Sequence, residues 1–510
     1  MALDPKDDVL VIGAGAMGAG IAQVAAAAGH RVGLFDVQDG AVARAIDGIG
    51  AQLQKQVERG KLAADARAAL LDRLVPIKSL AEFRQARLSV EAVKEDLAVK
   101  QALFRELEAL VAPDAILATN TSSISITAIG VALARPERFA GLHFFNPAPL
   151  MALVEVVTGL ATAPEVVTTL VDTARAWGKS PVVARSTPGF IVNRVARPYY
   201  AEGLRLLQEG AADPVTLDAV MRDSMQFRMG PFELMDLVGL DVNFAVTRSV
   251  HAAYFGDPRF SPSVIQQEMV DAGRFGRKTG RGFYDYAEGA AKPVPTDAPA
   301  GPRPDYVSAR GDLGPLEGLL PLLAHAGIDV EVHHGEGPGL LAFHGVFLAA
   351  TDGRSATERA AVDGLANLVV ADAVLDWTKA GRVAIAVADQ AAPDASAAAA
   401  GVLQAAGKAV SVLNDVPGLM AARTMSMLAN EAADAVMQGV ASAEGVDAAM
   451  RLGVNYPIGP LAWADMVGTP RVVNLLDNLA RTYGEDRYRA SALLRRVAAR
   501  AGRFHPAPHG

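Results

Sequence analysis

Residues 7–36 read DDVLVIGAGAMGAGIAQVAAAAGHRVGLFD. The apolar run Val9–Gly13 has the length of a buried strand, and the alanine-rich run from Met17 to Ala28 has the composition of a helix. A second strand, Arg31–Asp36, follows. Between strand and helix, Gly13, Gly15 and Gly18 form a G-x-G-x-x-G. In that setting the first glycine permits a tight turn, the second lets backbone approach a pyrophosphate, and the third lets the helix pack on the strand. Ala16 and Met17 open the helix, whose free N–H groups and partial positive charge suit phosphate. Asp36 stands 23 residues after Gly13, close to the spacing expected of the acid that holds a ribose. A carboxylate there accepts from both ribose hydroxyls and repels a 2′-phosphate, so NAD is favoured over NADP. The competing reading is a glycine turn in an unrelated α/β protein, which the context and Asp36 together disfavour.

Outward from this stretch, LSVEAV (88–93), AILAT (115–119), FAGLHFF (139–145), LVEVV (153–157) and SPVVA (180–184) read as further strands. Strands alternating with helices predict a mostly parallel, doubly wound sheet, here a Rossmann domain over residues 1–186. From Thr187 the apolar period becomes helical, which predicts an all-α C-terminal domain at 187–286. Residues 287–304, rich in Pro, Gly and Ala, read as a linker. Residues 305–406 return to α/β text without a glycine fingerprint, a reduced Rossmann-like domain. A second all-α copy occupies 407–510. The tract AAPDASAAAAG (391–401) reads as solvent-facing helix or loop.

The two helical segments are a duplication. Residues 178–239 and 407–468 align without a gap at an offset of 229. Gly178, Pro188, Gly189, Arg194, Glu202, Asp218, Gly230, Pro231, Asp236 and Gly239 recur as Gly407, Pro417, Gly418, Arg423, Glu431, Asp447, Gly459, Pro460, Asp465 and Gly468. Asn193, however, answers to Ala422. The fold was kept twice and this amide once, which assigns the first copy to a site and the second to architecture.

The chain has 510 residues, too many for one core, and a net charge of −8 without a long basic run, so nucleic-acid binding is not expected. With no cysteine there is no disulfide, thiolate catalysis or Cys-based metal site, in keeping with a reducing, cytoplasmic location; no metal is expected. The acidic N-terminus is no signal peptide, and no uncharged apolar stretch reaches the ~18 residues that span a bilayer, so no membrane association is expected.

Two strand-end motifs carry chemistry. ATNTSSISIT (118–127) places Asn120, Thr121, Ser122 and Ser123 at the carboxyl end of a strand, where open α/β sheets bind ligands. GLHFFNPAPLMALVEVV (141–157) puts His143 in one strand and Glu155 in the next, twelve residues later. A strand–turn–strand path can bring the carboxylate beside the imidazole, fixing its tautomer and stabilising imidazolium. A lone strand histidine could instead be a hydrogen-bonded core residue, and Ser122 could be the N-cap of the ISITAIG helix. Asn193 falls one turn inside a helix beginning near Pro188–Gly189, a poor place for asparagine without a reason. His333 and His334, in a Gly-rich loop without the Asn-Pro turn, read as surface residues.

GAGAMGAGIA (13–22), VEAVKEDLAVKQALF (90–104), NTSSISIT (120–127), HFFNPAPLM (143–151), PGFIVNRV (188–195) and KTGRGFYDY (278–286) together resemble the NAD-dependent L-3-hydroxyacyl-CoA dehydrogenases. The resemblance spans residues 8–286, and the repeat extends it to 407–490. The two-copy layout is similar to the long form that accompanies bacterial phenylacetate catabolism and acts on 3-hydroxyadipyl-CoA; 3-hydroxybutyryl-CoA is the alternative substrate. The resemblance implies His143 as general base with Glu155 as its partner, and Ser122 and Asn193 bonded to the reacting oxygen. It implies Asp36 on the adenosine ribose, and Asn120, Glu95, Lys100 and Lys278 as cofactor contacts. The competing reading makes Glu95 and Lys100 a solvated helix face and Lys278 part of a mobile basic loop, which the resemblance disfavours. Lys55 and Arg59, on the helix with Gln52, are candidates for the phosphates of an acyl-CoA substrate, and a solvated helix face explains them equally well. An L-gulonate-type dehydrogenase and a non-catalytic NAD-binding protein are the rivals. The helical copies are expected to pack as an intrachain pseudo-dimer or within a homodimer.

Overall fold

The computed structural model describes residues 1–506. It comprises two compact units, Met1–Arg194 with Gln438–Val454, and Val195–Met437 with the chain from Asn455 onward.

The first unit is built on an eight-stranded sheet. Its strands are β1 (Val9–Ile12), β2 (Val32–Phe35), β3 (Leu74–Pro76), β4 (Leu88–Glu91), β5 (Ile116–Thr119), β6 (Phe139–Phe144), β7 (Leu153–Thr158) and β8 (Ser180–Arg185). They lie in the order β3-β2-β1-β4-β5-β6-β7-β8. Val9, Val11, Leu34, Val90 and Val156 are fully buried, as expected where helices cover a parallel sheet. The three-residue β3 is too short to show a period. Every neighbouring pair is parallel except β6–β7. The physical reason is the short link of residues 145–152, because a parallel return needs a crossover of roughly a dozen residues. The helix Ala443–Val454 of the second copy belongs to this unit and packs on β7 and β8.

The second unit holds a seven-stranded sheet: β9 (Tyr306–Asp312), β10 (Asp329–Pro338), β11 (Leu340–Phe343), β12 (Val346–Ala350), β13 (Leu368–Ala371), β14 (Arg382–Val387) and β15 (Ala409–Val412), in the order β10-β9-β11-β12-β13-β14-β15. β12–β13 is parallel, β13–β14 antiparallel and β14–β15 parallel, the sequence of directions seen in β5 to β8. β15 carries this sheet past the boundary at 406. His333 and His334 lie exposed on β10, not in a loop. The alanine tract also departs from expectation: the helix Ala395–Ala405 buries Ala395, Ala398, Ala399 and Leu403 against this sheet, because alanine lets a helix approach strands closely. Residues 287–304 form neither helix nor strand, yet Ala298 N donates to Val410 O at 2.7 Å.

The helix Pro214–Met225, which answers to Ala443–Val454, packs on β14, with Ser224 Oγ donating to Arg382 O at 2.9 Å. Within the same unit the helices Arg197–Gln208 and Ala421–Met437, one from each copy, pack together. Their contact is ionic at its centre. Fully buried Arg423 donates from Nε to Glu202 (2.8 Å) and from both Nη atoms to Glu209 (2.8 and 2.9 Å). No described helix is long and apolar enough to cross a membrane.

Candidate active site

The glycine loop joins β1 to the helix Ala16–Ala27. Gly13 takes φ +102°, and a Cβ there would lie 2.4 Å from Ala92 O. A Cβ on Gly18 would lie 1.7 Å from Gly13 O, so the helix reaches the strand only with glycine here. A Cβ on Gly15 would meet nothing within 4 Å. That open, exposed position is the N-cap of the helix, and Ala16 and Met17 follow it with the unpaired N–H groups of a first turn. Asp36 Oδ2 accepts from Ala14 N at 2.7 Å, which ties the end of β2 to the loop. A cavity of about 990 Å³ runs along these residues and includes Gly15, Ala16, Asp36 and Gln52 in its wall. Lys55 and Arg59 are exposed at the end of the helix Ala41–Glu58.

The β4–β5 edge holds a polar cluster. Glu95 lies in the loop after β4, one residue before the N-cap Asp96 of the helix Leu97–Leu110, so it is not on a helix face. Its Oε1 accepts from Thr121 Oγ1 (2.5 Å), Ser122 N (3.1 Å), Ser123 N (3.2 Å) and Ser123 Oγ (2.9 Å). Burial pushes its carboxyl upward, but the Thr121 hydroxyl, the Lys100 ammonium and the Ser123 hydroxyl outweigh it and hold the group below its ordinary value. Lys100 is 1% exposed and therefore not on a solvated face. Its Nζ lies 2.5 Å from Glu91 and 3.2 Å from Glu95. Glu91, which sequence reasoning missed, is fully buried and also receives Thr119 Oγ1 at 2.6 Å. A charged residue inside the apolar run LSVEAV was the available signal. The N-cap of the helix Ile126–Gly130 is Ser125, not Ser122. Ser122 is therefore left at the strand end with its backbone held by Glu95. Asn120 Oδ1 accepts from Phe144 N at 2.8 Å, linking the ends of β5 and β6.

Across the antiparallel pair β6–β7, His143 stands directly opposite Glu155. Nδ1 lies 2.7 Å from Glu155 Oε2. The ring is 6% exposed and flanked by Phe145 and Phe190 at centroid distances of 4.6 and 5.8 Å. The second oxygen of Glu155 accepts from Ile191 N (3.1 Å) and Val192 N (3.0 Å). Those donors open the short helix Val192–Val195, whose first-turn N–H groups have no partner within the helix. Asn193 is the next residue, so it sits in the first turn rather than a turn inside the helix, and its chain position is fixed by the carboxylate that holds His143. Lys278 stands in the second unit, exposed, with Nζ 2.5 Å from Asp241.

Comparison with known proteins follows these features. The family described as "3-hydroxyacyl-CoA dehydrogenase, NAD binding domain" matches residues 8–187. The "3-hydroxyacyl-CoA dehydrogenase, C-terminal domain" matches twice, at 189–286 and 418–506. The "3-hydroxybutyryl-CoA dehydrogenase reduced Rossmann-fold domain" matches 348–417. The chain is 47% identical to an Escherichia coli protein named 3-hydroxyadipyl-CoA dehydrogenase, over 96% of this chain and 97% of that one. It is 44% identical to the mitochondrial hydroxyacyl-coenzyme A dehydrogenase of Sus scrofa, over 54% of this chain and 90% of the other. A crystal structure titled 3-hydroxybutyryl-CoA dehydrogenase from E. coli superposes with a TM-score of 0.89 at 45% identity, covering 98% and 99% of the two chains.

Proposed function

The chain belongs to the 3-hydroxyacyl-CoA dehydrogenase family of NAD-dependent oxidoreductases, and from that premise we propose that it oxidises (S)-3-hydroxyadipyl-CoA to the 3-oxo thioester, with His143 as general base. The observation that carries the proposal is the buried 2.7 Å contact between His143 Nδ1 and Glu155. The substrate class is supported by the relative named 3-hydroxyadipyl-CoA dehydrogenase, which this chain matches over nearly its whole length.

The residues of the glycine loop fit a dinucleotide: an open approach at Gly15, free N–H groups at Ala16 and Met17, and an acid at the end of β2. When bound, NAD supplies the hydride acceptor. Asp36 would hold the adenosine ribose, while Asn120, Glu95 and, through Glu95, Lys100 shape the wall nearer the reacting end. With Nδ1–H of His143 donating to Glu155, the Nε2 lone pair is free to take the proton of the 3-hydroxyl. Glu155 is buried against the ring, so its carboxylate offsets the positive charge that forms on the imidazole where little water competes. Ser122 and Asn193 donate to the same oxygen and set the hydroxyl toward His143. The exposed cations Lys55 and Arg59 meet CoA phosphates. We further infer a cytoplasmic enzyme that completes its helical interface within one chain.

The test is spectrophotometric. The purified protein should oxidise NADH with acetoacetyl-CoA and with 3-oxoadipyl-CoA, and should not reduce NAD with L-gulonate. Turnover of L-gulonate without turnover of either thioester would refute the reading.

A further inference from the structure

Arg197 is a buried guanidinium without a counter-ion among the described residues. It opens the helix Arg197–Gln208 and is 6% exposed. Nη1 donates to Thr247 Oγ1 at 3.2 Å, and the Tyr200 ring centroid lies 4.9 Å from Cζ. Nε has no partner. Burial lowers its pKa, and the groups that oppose this are tyrosines, not acids. An isolated buried charge costs several kcal/mol, so a fold keeps one only for a reason.

Arg197 lines a cavity of about 380 Å³ within the second unit, together with Tyr200, Thr247, Arg205, Arg259 and Arg487. The last three arginines are neutralised. Arg205 pairs with Glu202, Arg259 with Glu431 and Asp434, and Arg487 with Glu485. Each still keeps one buried N–H without an acceptor: Arg205 Nη2, Arg259 Nε and Arg487 Nε. Two acids reach the same wall, and both are occupied. Glu209 is held by Arg423 and by Tyr483 Oη at 2.7 Å, and Glu485 by Arg487 at 2.7 Å. The cavity therefore combines surplus N–H donors with one guanidinium, that of Arg197, which no acid among the described residues faces.

The duplication tests whether the fold needs this arrangement. At the constant offset, Arg197, Tyr200 and Thr247 answer to Ser426, Ala429 and Leu476. Ser426 is fully buried and the helix around it forms equally well. Arg197, Tyr200 and Thr247, like Asn193, occur in the first copy only.

We propose that this cavity is a carboxylate-binding site anchored by Arg197, taking the terminal carboxylate of a dicarboxylyl thioester. A planar guanidinium fork matches a carboxylate, and one guanidinium that no acid faces is matched by one negative charge. The identity of the thioester rests on the function proposed above. A free dicarboxylate offers the same chemistry, and the experiment separates the two sources.

The measurement is kcat/KM of wild type and Arg197→Met with 3-hydroxyadipyl-CoA and with 3-hydroxyhexanoyl-CoA, alongside the shift in melting temperature given by adipate and by its neutral diamide. Loss of a charge-assisted pair predicts a fall of roughly 10- to 100-fold in the adipyl-to-hexanoyl ratio, mainly through KM. A preserved ratio with an adipate shift that disappears in Arg197→Met identifies a free dicarboxylate as the ligand. A preserved ratio with no adipate shift in wild type overturns the site. Should Arg197→Met not fold, Arg197→Lys, which keeps the charge without the fork, must lose part of the ratio. If wild type turns over neither thioester, the enzymatic reading fails, and adipate against its diamide still decides the cavity.

Discussion

Asp372 lies 229 residues after His143 and occupies the corresponding station of the second sheet. His143 faces Glu155 across β6–β7; Asp372 N donates to Ala384 O at 2.9 Å, continuing the antiparallel register of β13–β14. The acid has thus moved from one strand to its neighbour, Glu155 answering to Ala384 at the same offset. Its structural task is unchanged. Asp372 accepts from Met420 N (2.9 Å), Ala421 N (2.7 Å) and Ala422 N (2.8 Å), and the first two donors answer to Ile191 and Val192, which Glu155 holds. Both halves retain a carboxylate at this helix start, and one half retains the imidazole.

The first prediction separates chemistry from support. His143→Gln should lower turnover by at least roughly 10²-fold, the typical contribution of a general base, while NADH affinity persists. The glycine loop and Asp36 do not touch the imidazole, so fluorescence titration with NADH should be unchanged. Near-normal turnover would remove His143 from its role.

Glu155 carries two duties, and two substitutions divide them. Glu155→Gln keeps an acceptor for Ile191 and Val192 but loses the charge beside His143, so kcat should fall with little change in melting temperature. Glu155→Ala leaves two buried N–H groups unsatisfied, each worth about 1–3 kcal/mol, so stability should fall as well. Equal stability of the two variants would show that the helix start does not depend on this acid.

The second half should be catalytically silent. Ala422→Asn restores the amide but not the imidazole, because Asp372 holds that station. Steady-state rates should match wild type, and a measurable gain would give the second copy a part in catalysis.

Asp372 also predicts a pH dependence. Burial pushes its carboxyl up to about 6, against the pull of the N–H groups of Ala421, Ala422, Ala373 and Met420. The folded state therefore favours the protonated form. The stability this contributes is full below about pH 4 and is given up as pH rises through 6, amounting to roughly 3 kcal/mol across that window. Asp372→Asn keeps an acceptor without a charge and should flatten the urea-unfolding midpoint between pH 4 and 7. An unaltered slope would assign the titration elsewhere.

Much of this site was legible in the sequence, for reasons visible at particular residues. The glycine loop is legible because its three positions have separate steric needs, and the β6–β7 pairing because a short Asn-Pro link forces the chain back antiparallel. Glu91 was hidden because a buried carboxylate on a strand announces itself only once Lys100 and Thr119 are known to reach it. The packing of Ala443–Val454 on β7 and β8 was hidden because a helix's apolar face does not name the sheet it covers. That no acid faces Arg197 is a property of its folded neighbours and has no signature along the chain.

The interface between the copies gives the last prediction. Arg423 and Glu202 are both fully buried, and Arg423 also holds Glu209 through both Nη atoms. Arg205 and Arg423 hold the Glu202 carboxyl below its ordinary value even though burial pushes the other way. Arg423→Met would leave buried Glu202 with Arg205 alone and take both guanidinium bonds from Glu209, and breaking a buried pair from one side costs about 3–5 kcal/mol. Because both partners come from one chain, the loss should appear as a lower unfolding midpoint that is independent of protein concentration. Wild type should accordingly scatter light as a single chain of 53.1 kDa. A species of twice that mass, dissociating on dilution as Arg423→Met loses stability, would place the interface between chains instead.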